Sequence, residues 1–230
     1  AFKTEAALAA YFAAGVKKVI VSAPVKEASA ANIVYGVNHG DIKPSDTIVC
    51  AASCTTNAIT PVLKVMNDKY GVINGHVETV HSYTNDQNLL DNFHKKPRRG
   101  RSAAINMVIT STGAGKAVTK VVPSLSGKLT ANAVRVPTPN GSLAIMNLSV
   151  SKETSVEEIN SVVKKYAMEG DLVNQIRFSI EEELVSNDII GDTCCSVFDS
   201  PATIVSNDKK NVVLYVWYDN EFGYTKQVIR

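Results

Sequence analysis

Residues 5–14, EAALAAYFAA, are strong helix formers that stop at Gly15, and the KKVIVSAP that follows reads as a buried strand closed by Pro24. Two further apolar runs, NIVYGV and DTIVCAA, flank the turn-rich NHGDIKPSD. Neither alternates strictly with polar residues, as expected of strands covered on both faces. The first fifty residues therefore predict the edge of an α/β layer.

Past Cys54 the pattern changes. A helix is predicted from Thr55 to about Tyr70, then a strand over VINGHVETVHSY, then the irregular stretch TNDQNLLDNFHKKPRRGRSAA. An irregular connection of that length inside a compact domain is usually functional. Beyond it, a helix opens near STGAGKAV, strands cover KLTANAVRVP and SLAIMNLSVSK, and a helix runs from Ser155 to about Met168. Strands over PATIVSND and NVVLYVWYD complete the pattern. Long strands with few helices predict an α+β domain with a mostly antiparallel sheet. There is no internal repeat and no low-complexity segment.

Composition narrows the function class. Lys and Arg number 24 against 22 Asp and Glu, a net charge of +2, so no general field exists to hold a duplex nucleic acid or an anionic membrane. No apolar run approaches the ~20 residues of a membrane-spanning helix, and AFKTEAALAA has no signal-peptide pattern. A cytoplasmic protein acting on small molecules is expected. The four cysteines, Cys50, Cys54, Cys194 and Cys195, match neither zinc spacing nor a disulfide framework and are read as thiols, with no metal site. The chain starts at Ala1 without Met and ends at Arg230 with a helix just begun, and reads as a piece of a longer protein.

AASCTTN, residues 51–57, places Cys54 where a strand hands over to a helix. Unpaired amides and the helix dipole there favour an anion, which predicts a thiol that ionises more readily than a free one. On position alone a buried thiol serving as a small hydrophobe is an equal reading. His81, at the end of VETVHSY where the irregular loop begins, is the candidate partner base; His39, His76 and His94 are not. Thr84, Thr112, Gly113 and Arg135 are the candidate anion ligands, since helix amino termini and guanidinium forks both bind phosphate. Singly, Thr112 could be a plain cap and Arg135 an exposed strand residue. GAGK at 113–116 is no phosphate loop, because the spacing is short and Ala117 follows Lys116. HKKPRRGR packs five cations into one loop without the aromatic platform that RNA would need, and reads as a solvated or subunit-contact loop.

Taken in order, ASCTTN, HSYTNDQ, STGAGKAV, KLTANAVRVPTP and WYDNEFGYT resemble the phosphorylating glyceraldehyde-3-phosphate dehydrogenases. GVKKVIVSAP and NIVYGVNH resemble the last part of that family's nucleotide-binding domain. The resemblance implies an α/β remnant of a Rossmann-type domain over 1–54, an α+β catalytic domain with a mostly antiparallel sheet over 55–219, and the start of a carboxy-terminal helix over 220–230. It implies Cys54 as nucleophile and His81 as base. Ser53, Thr55, Thr84, Thr112, Gly113 and Arg135, with Arg101, would line two anion sites, and Asn220 and Tyr224 would lie near the nicotinamide of NAD. The reaction implied is oxidation of glyceraldehyde 3-phosphate through a Cys54 thioester that inorganic phosphate releases as 1,3-bisphosphoglycerate. A cytoplasmic homotetramer is implied as well.

The sequence also departs from the family. The glycine-rich dinucleotide fingerprint, its strand and the acidic residue for the adenosine ribose are absent from these residues. Asn92 and Phe93 stand where many NAD-using members carry Leu-Pro, which leaves NADP use open. An erythrose-4-phosphate dehydrogenase is the related alternative. A Cys-His acyltransferase or hydrolase, and a non-catalytic fragment, are the alternatives of other classes.

Overall fold

Thr4 opens the first helix, α1 (Glu5–Ala13), by accepting a hydrogen bond from the Ala7 N–H at 3.2 Å, and Gly15 at φ +91° turns the chain out of it. The structure, a computed structural model, describes residues 2–25, 27 and 29–230. Strands β1 (Val19–Val21), β2 (Ala31–Asn32) and β3 (Ile48–Cys50) form a small parallel sheet in the order β1-β3-β2. The apolar run NIVYGV contributes little to it. The Asn38 side chain accepts from the Val34 N–H at 2.9 Å and donates to the Asn32 carbonyl at 3.0 Å, so the chain turns where alternation-free apolar sequence predicted a strand. Leu8 of α1 packs with Val21, Ile48 and Cys50 as a small separate core.

Ser53 caps the next helix, α2 (Cys54–Tyr70), and Gly71 ends it in the left-handed conformation at φ 68°. Pro61 lies inside α2 and has no N–H to give to the Asn57 carbonyl four residues earlier. The Cys195 thiol donates to that carbonyl instead, at 3.2 Å. A helix-breaking residue is thereby accommodated by a buried thiol from far along the chain. All four cysteines are free.

The larger sheet holds eight strands: β4 (Val72–Ser82), β5 (Val108–Ser111), β6 (Leu129–Val136), β7 (Ser142–Val150), β8 (Ile176–Ser179), β9 (Ser196–Asp199), β10 (Ile204–Val205) and β11 (Asn211–Tyr218). Their order is β5-β6-β4-β7-β11-β9-β8, with β10 on β11. Only β4–β6 and β8–β9 pair in parallel, so the sheet is mixed with antiparallel pairs predominating. This is an α+β domain. Three strands carry no sequence signal that predicted them, namely β5, β8 and β9, while the strand expected over PATIVSND contracts to Ile204–Val205.

The remaining helices are α3 (Ala114–Val121), α4 (Val156–Met168) and α5 (Phe222–Ile229). Period-two alternation turns Val77, Thr79 and His81 of β4 inward, with Ala144, Met146 and Leu148 of β7 and Val212, Leu214, Val216 and Tyr218 of β11. Against that face lie Ile59, Val62, Leu63 and Met66 of α2, each wholly buried and each contributing about 1.5–3 kcal/mol. Cys54, the first residue of α2, packs against this core, and His81, near the end of β4, is buried. No helix among the described residues is long and apolar enough to cross a membrane.

Candidate active site

The turn from β3 into α2 positions Cys54. Ala52 takes a left-handed φ of 55°, rare for a residue with a side chain, and the Asn57 side chain donates to the Ala51 and Ser53 carbonyls at 2.8 and 2.9 Å. Ser53 Oγ accepts from the Thr56 N–H at 3.2 Å and lies 2.8 Å from Thr56 Oγ1. The Cys54 Sγ thus sits at the mouth of the helix, 3.6 Å from His81 Nε2.

His81 is oriented from its other ring nitrogen. Its Nδ1 lies 2.7 Å from the Ser82 carbonyl, and Arg135 Nη1 reaches both that carbonyl (2.8 Å) and Thr84 Oγ1 (3.2 Å). With Nδ1 protonated, the ring donates to the Ser82 carbonyl and turns the Nε2 lone pair toward Cys54. Arg135 Nη1 is also 2.9 Å from Nδ1, because β4 and β6 pair in parallel with His81 opposite Arg135. Burial and then the Arg135 charge lower the His81 pKa to about 4, so the imidazole is neutral at physiological pH. On the other side the Tyr218 ring meets His81 edge-on, and the Tyr218 hydroxyl is 2.9 Å from Thr55 Oγ1.

The Cys54 thiol departs from the sequence expectation. Burial pushes its pKa above the ordinary value, outweighing the Thr55 hydrogen bonds and the Arg135 charge that favour the thiolate. The magnitudes explain why: a helix dipole supplies about 0.3–1 kcal/mol, less than one pKa unit, whereas desolvation reaches several. Cys54 and His81 therefore face each other as neutral thiol and neutral base.

A cavity of about 200 Å³ opens beside them, lined by Ser53, Cys54, Thr55, His81, Thr112, Gly113 and Arg135 among the residues the sequence singled out. Thr112 Oγ1 accepts from the Ala114 N–H at 3.2 Å at the start of α3, and a Cβ on Gly113 would meet nothing within 4 Å, so open space lies against that helix end. The remaining predicted residues sit elsewhere. Thr84 does not line the cavity but bonds to Arg135 and donates to Asp86 Oδ1 at 2.6 Å. Arg101 lies apart from this cavity: it pairs with Asp91 at 3.2 Å and lines a separate surface cavity with Arg98 and Asn106.

Arg99 takes the place expected of Arg101. Its Nε donates to Thr110 Oγ1 at 2.9 Å, it is ion-paired with Asp86, and it lines the cavity. Five cations in HKKPRRGR gave no means of choosing among them, and Thr110 lies on β5, which the sequence pattern did not reveal. Burial raises the Asp86 pKa, but the Thr84 hydrogen bond and the Arg99 and Arg135 charges outweigh it and hold the carboxyl below its ordinary value.

Asn220 and Tyr224 are not in the cavity lining. Asn220 is buried, and its Oδ1 accepts from Ser142 Oγ at 2.8 Å, whose oxygen in turn accepts from the Ser82 N–H at 3.1 Å. A chain of hydrogen bonds thus links the strand of His81 to Asn220. The Tyr224 hydroxyl donates to the Ala52 carbonyl at 3.2 Å, tying α5 to the turn before Cys54. Ser142 and Tyr218 also belong to this surround, and only their neighbours in space distinguish them from ordinary strand residues.

Chemically, the arrangement offers a thiol nucleophile, a neutral base 3.6 Å away and two guanidinium groups with a helix amino terminus around the adjoining space. Residues 53–220 match the family model described as glyceraldehyde 3-phosphate dehydrogenase, C-terminal domain. A glyceraldehyde-3-phosphate dehydrogenase-like protein of Pseudomonas aeruginosa is 59% identical over 216 residues, 94% of this chain and 46% of the relative. The glyceraldehyde-3-phosphate dehydrogenase of Zymomonas mobilis is 45% identical over 220 residues, 96% of this chain and 65% of the relative. Glyceraldehyde-3-phosphate dehydrogenase 2 of a Nostoc species is 48% identical over 218 residues, 94% and 63% respectively. The chain spans 46% to 65% of the length of these relatives.

Proposed function

Because the chain belongs to the glyceraldehyde-3-phosphate dehydrogenase family, we propose that it carries the catalytic residues of an enzyme that oxidises glyceraldehyde 3-phosphate and phosphorylates it to 1,3-bisphosphoglycerate. The observation that carries this reading is Cys54 Sγ 3.6 Å from His81 Nε2 at the edge of a cavity faced by Arg99, Arg135 and the start of α3. A hydrolase or acyltransferase needs the first pair but not the second set.

Each residue then has a task. Cys54 Sγ attacks the aldehyde carbon while its proton passes through His81 Nε2 to the carbonyl oxygen, forming a thiohemiacetal and leaving His81 neutral. When bound, NAD supplies the hydride acceptor that turns the thiohemiacetal into a thioester. His81 Nε2 takes the hydroxyl proton in that step. A His81 pKa near 4 makes imidazolium costly, and a phosphate dianion beside Arg135 would relieve that cost by offsetting the guanidinium charge. Inorganic phosphate then attacks the thioester carbon, and Cys54 leaves and takes the proton back. Two phosphate groups enter this sequence, which accounts for two cations and the Thr112–Gly113 helix end in one cavity lining.

The residues at Asn220 fit a nicotinamide. Ser142 is committed by the Ser82 N–H to donating toward Asn220 Oδ1, which fixes the amide with its nitrogen end available to a carboxamide oxygen. Residues 1–54 supply the end of a Rossmann-type layer, consistent with their parallel β1-β3-β2 sheet; 55–219 form the catalytic domain; and 220–230 open the closing helix. The adenosine half of the cofactor has no glycine-rich grip within these residues. Exposed Leu89, Leu90, Phe93, Ile105 and Met107 support a subunit contact, and the reading includes a cytoplasmic homotetramer.

The chain itself can be tested without NAD. Acetyl phosphate, an acyl phosphate that runs the last step backwards, is expected to acetylate Cys54, detected by peptide mass spectrometry and absent in His81→Asn. Arsenate-stimulated NADH or NADPH formation from glyceraldehyde 3-phosphate, with erythrose 4-phosphate in parallel, reads the whole reaction. Ester hydrolysis without either signal would sink the dehydrogenase reading.

A further inference from the structure

We propose that Asp86 is a tethered competitor for the anion-binding cavity: its carboxylate holds, directly or through Thr84, the guanidinium groups that an entering phosphate would engage. The inference rests on reading the cavity as a phosphate site.

Asp86 Oδ1 accepts from Thr84 Oγ1 at 2.6 Å, and Oδ2 is ion-paired with Arg99 Nη1. Thr84 Oγ1 also accepts from Arg135 Nη1 at 3.2 Å. One carboxylate is therefore joined to both cations of the cavity, to Arg99 directly and to Arg135 through a hydroxyl. It leaves two guanidinium charges balanced by one carboxylate.

The two partners of the ion pair differ in freedom. The Arg99 side chain is 12% exposed and fixed by its bond from Nε to Thr110, whereas the Asp86 side chain is 47% exposed and outside the cavity lining. An incoming anion can release Asp86 into water while the cations stay in place. The exchange weakens every anion by the same displacement cost. An anion held by charge alone is thereby bound more weakly, while a substrate that also bonds to Cys54 compensates for the loss.

The test uses the 230-residue chain, with inorganic phosphate as probe and iodoacetamide alkylation of Cys54, read by mass spectrometry, as signal. In Asp86→Asn the phosphate concentration giving half protection is expected to fall about fivefold, and the rate with anionic iodoacetate to rise relative to neutral iodoacetamide. The ratio of the two reagents cancels any general change in thiol reactivity. Asp86→Ala is expected to behave alike, since the effect is one of charge. Equal or weaker phosphate protection in both variants overturns the competitor and makes Asp86 a prop for Arg99. Absence of protection in every form, the unsubstituted chain included, overturns the phosphate reading of the cavity and the competitor with it.

Discussion

His81 on β4 and Arg135 on β6 are direct partners in one parallel ladder, and Arg135 Nη1 lies 2.9 Å from His81 Nδ1. A base and a cation are thereby fixed side by side by sheet register rather than by loop conformation. Burial keeps the base neutral, and the cation adds to that effect.

Removing that charge should be visible in the titration of His81. In Arg135→Gln the His81 pKa is expected to rise above about 4 but to stay below its ordinary 6.5, because burial, the larger cause, remains. Imidazole NMR shifts followed against pH measure it; an unchanged midpoint would mean that Arg135 does not act on His81.

The same pKa makes a statement about stability. His81 is lowered to about 4 when folded and stands near 6.5 when unfolded, so the unfolded chain binds the extra proton between those values. The stabilising contribution is present above pH 6.5 and is lost as pH falls toward 4. Between pH 7 and 5 it amounts to about 2 kcal/mol. Urea unfolding of the unsubstituted chain should show that loss, and His81→Asn should lack that share of it.

Cys54 should be the first thiol alkylated, ahead of Cys194 and Cys195, because it faces the cavity and a base. Its raised pKa gives the pH dependence: the rate with iodoacetamide climbs through pH 9 without a plateau. A plateau below pH 8 would show that the helix end outweighs burial. Peptide mapping of a partial alkylation series assigns the sites.

Cys195 should prove structural. It donates to the Asn57 carbonyl that Pro61 leaves free, so Cys195→Val is expected to cost about 1–3 kcal/mol more than Cys195→Ser, which keeps a donor. Chemical denaturation compares the two. Pro61→Ala supplies the missing N–H, and in that background the difference between Val and Ser should shrink.

Long periodic elements were legible in the sequence. The helix from Cys54 to Tyr70, the strand ending at His81 and the strands around Arg135 and Tyr215 carry enough repeats for their period to declare them. The four-residue strands β5, β8 and β9 were not, since four residues cannot separate alternation from chance and their pairing partners are remote. NIVYGV failed in the opposite sense: its apolar Ile33 and Val34 are buried, but Asn38 takes the backbone groups a strand would have used.

For the site, the sequence by itself determined which residue types stand at the ends of the long elements: Cys54 at a helix mouth, His81 at a strand end and Thr112–Gly113 before a helix. It determined this because caps and periodicity are local properties of a chain. Only the tertiary structure decided that Arg99 rather than Arg101 faces the cavity, that Asp86 holds it, and that Ser142 ties Asn220 to the strand of His81. It also set the sign of the Cys54 shift, because desolvation depends on how much protein surrounds the thiol, and no spacing within AASCTTN records that.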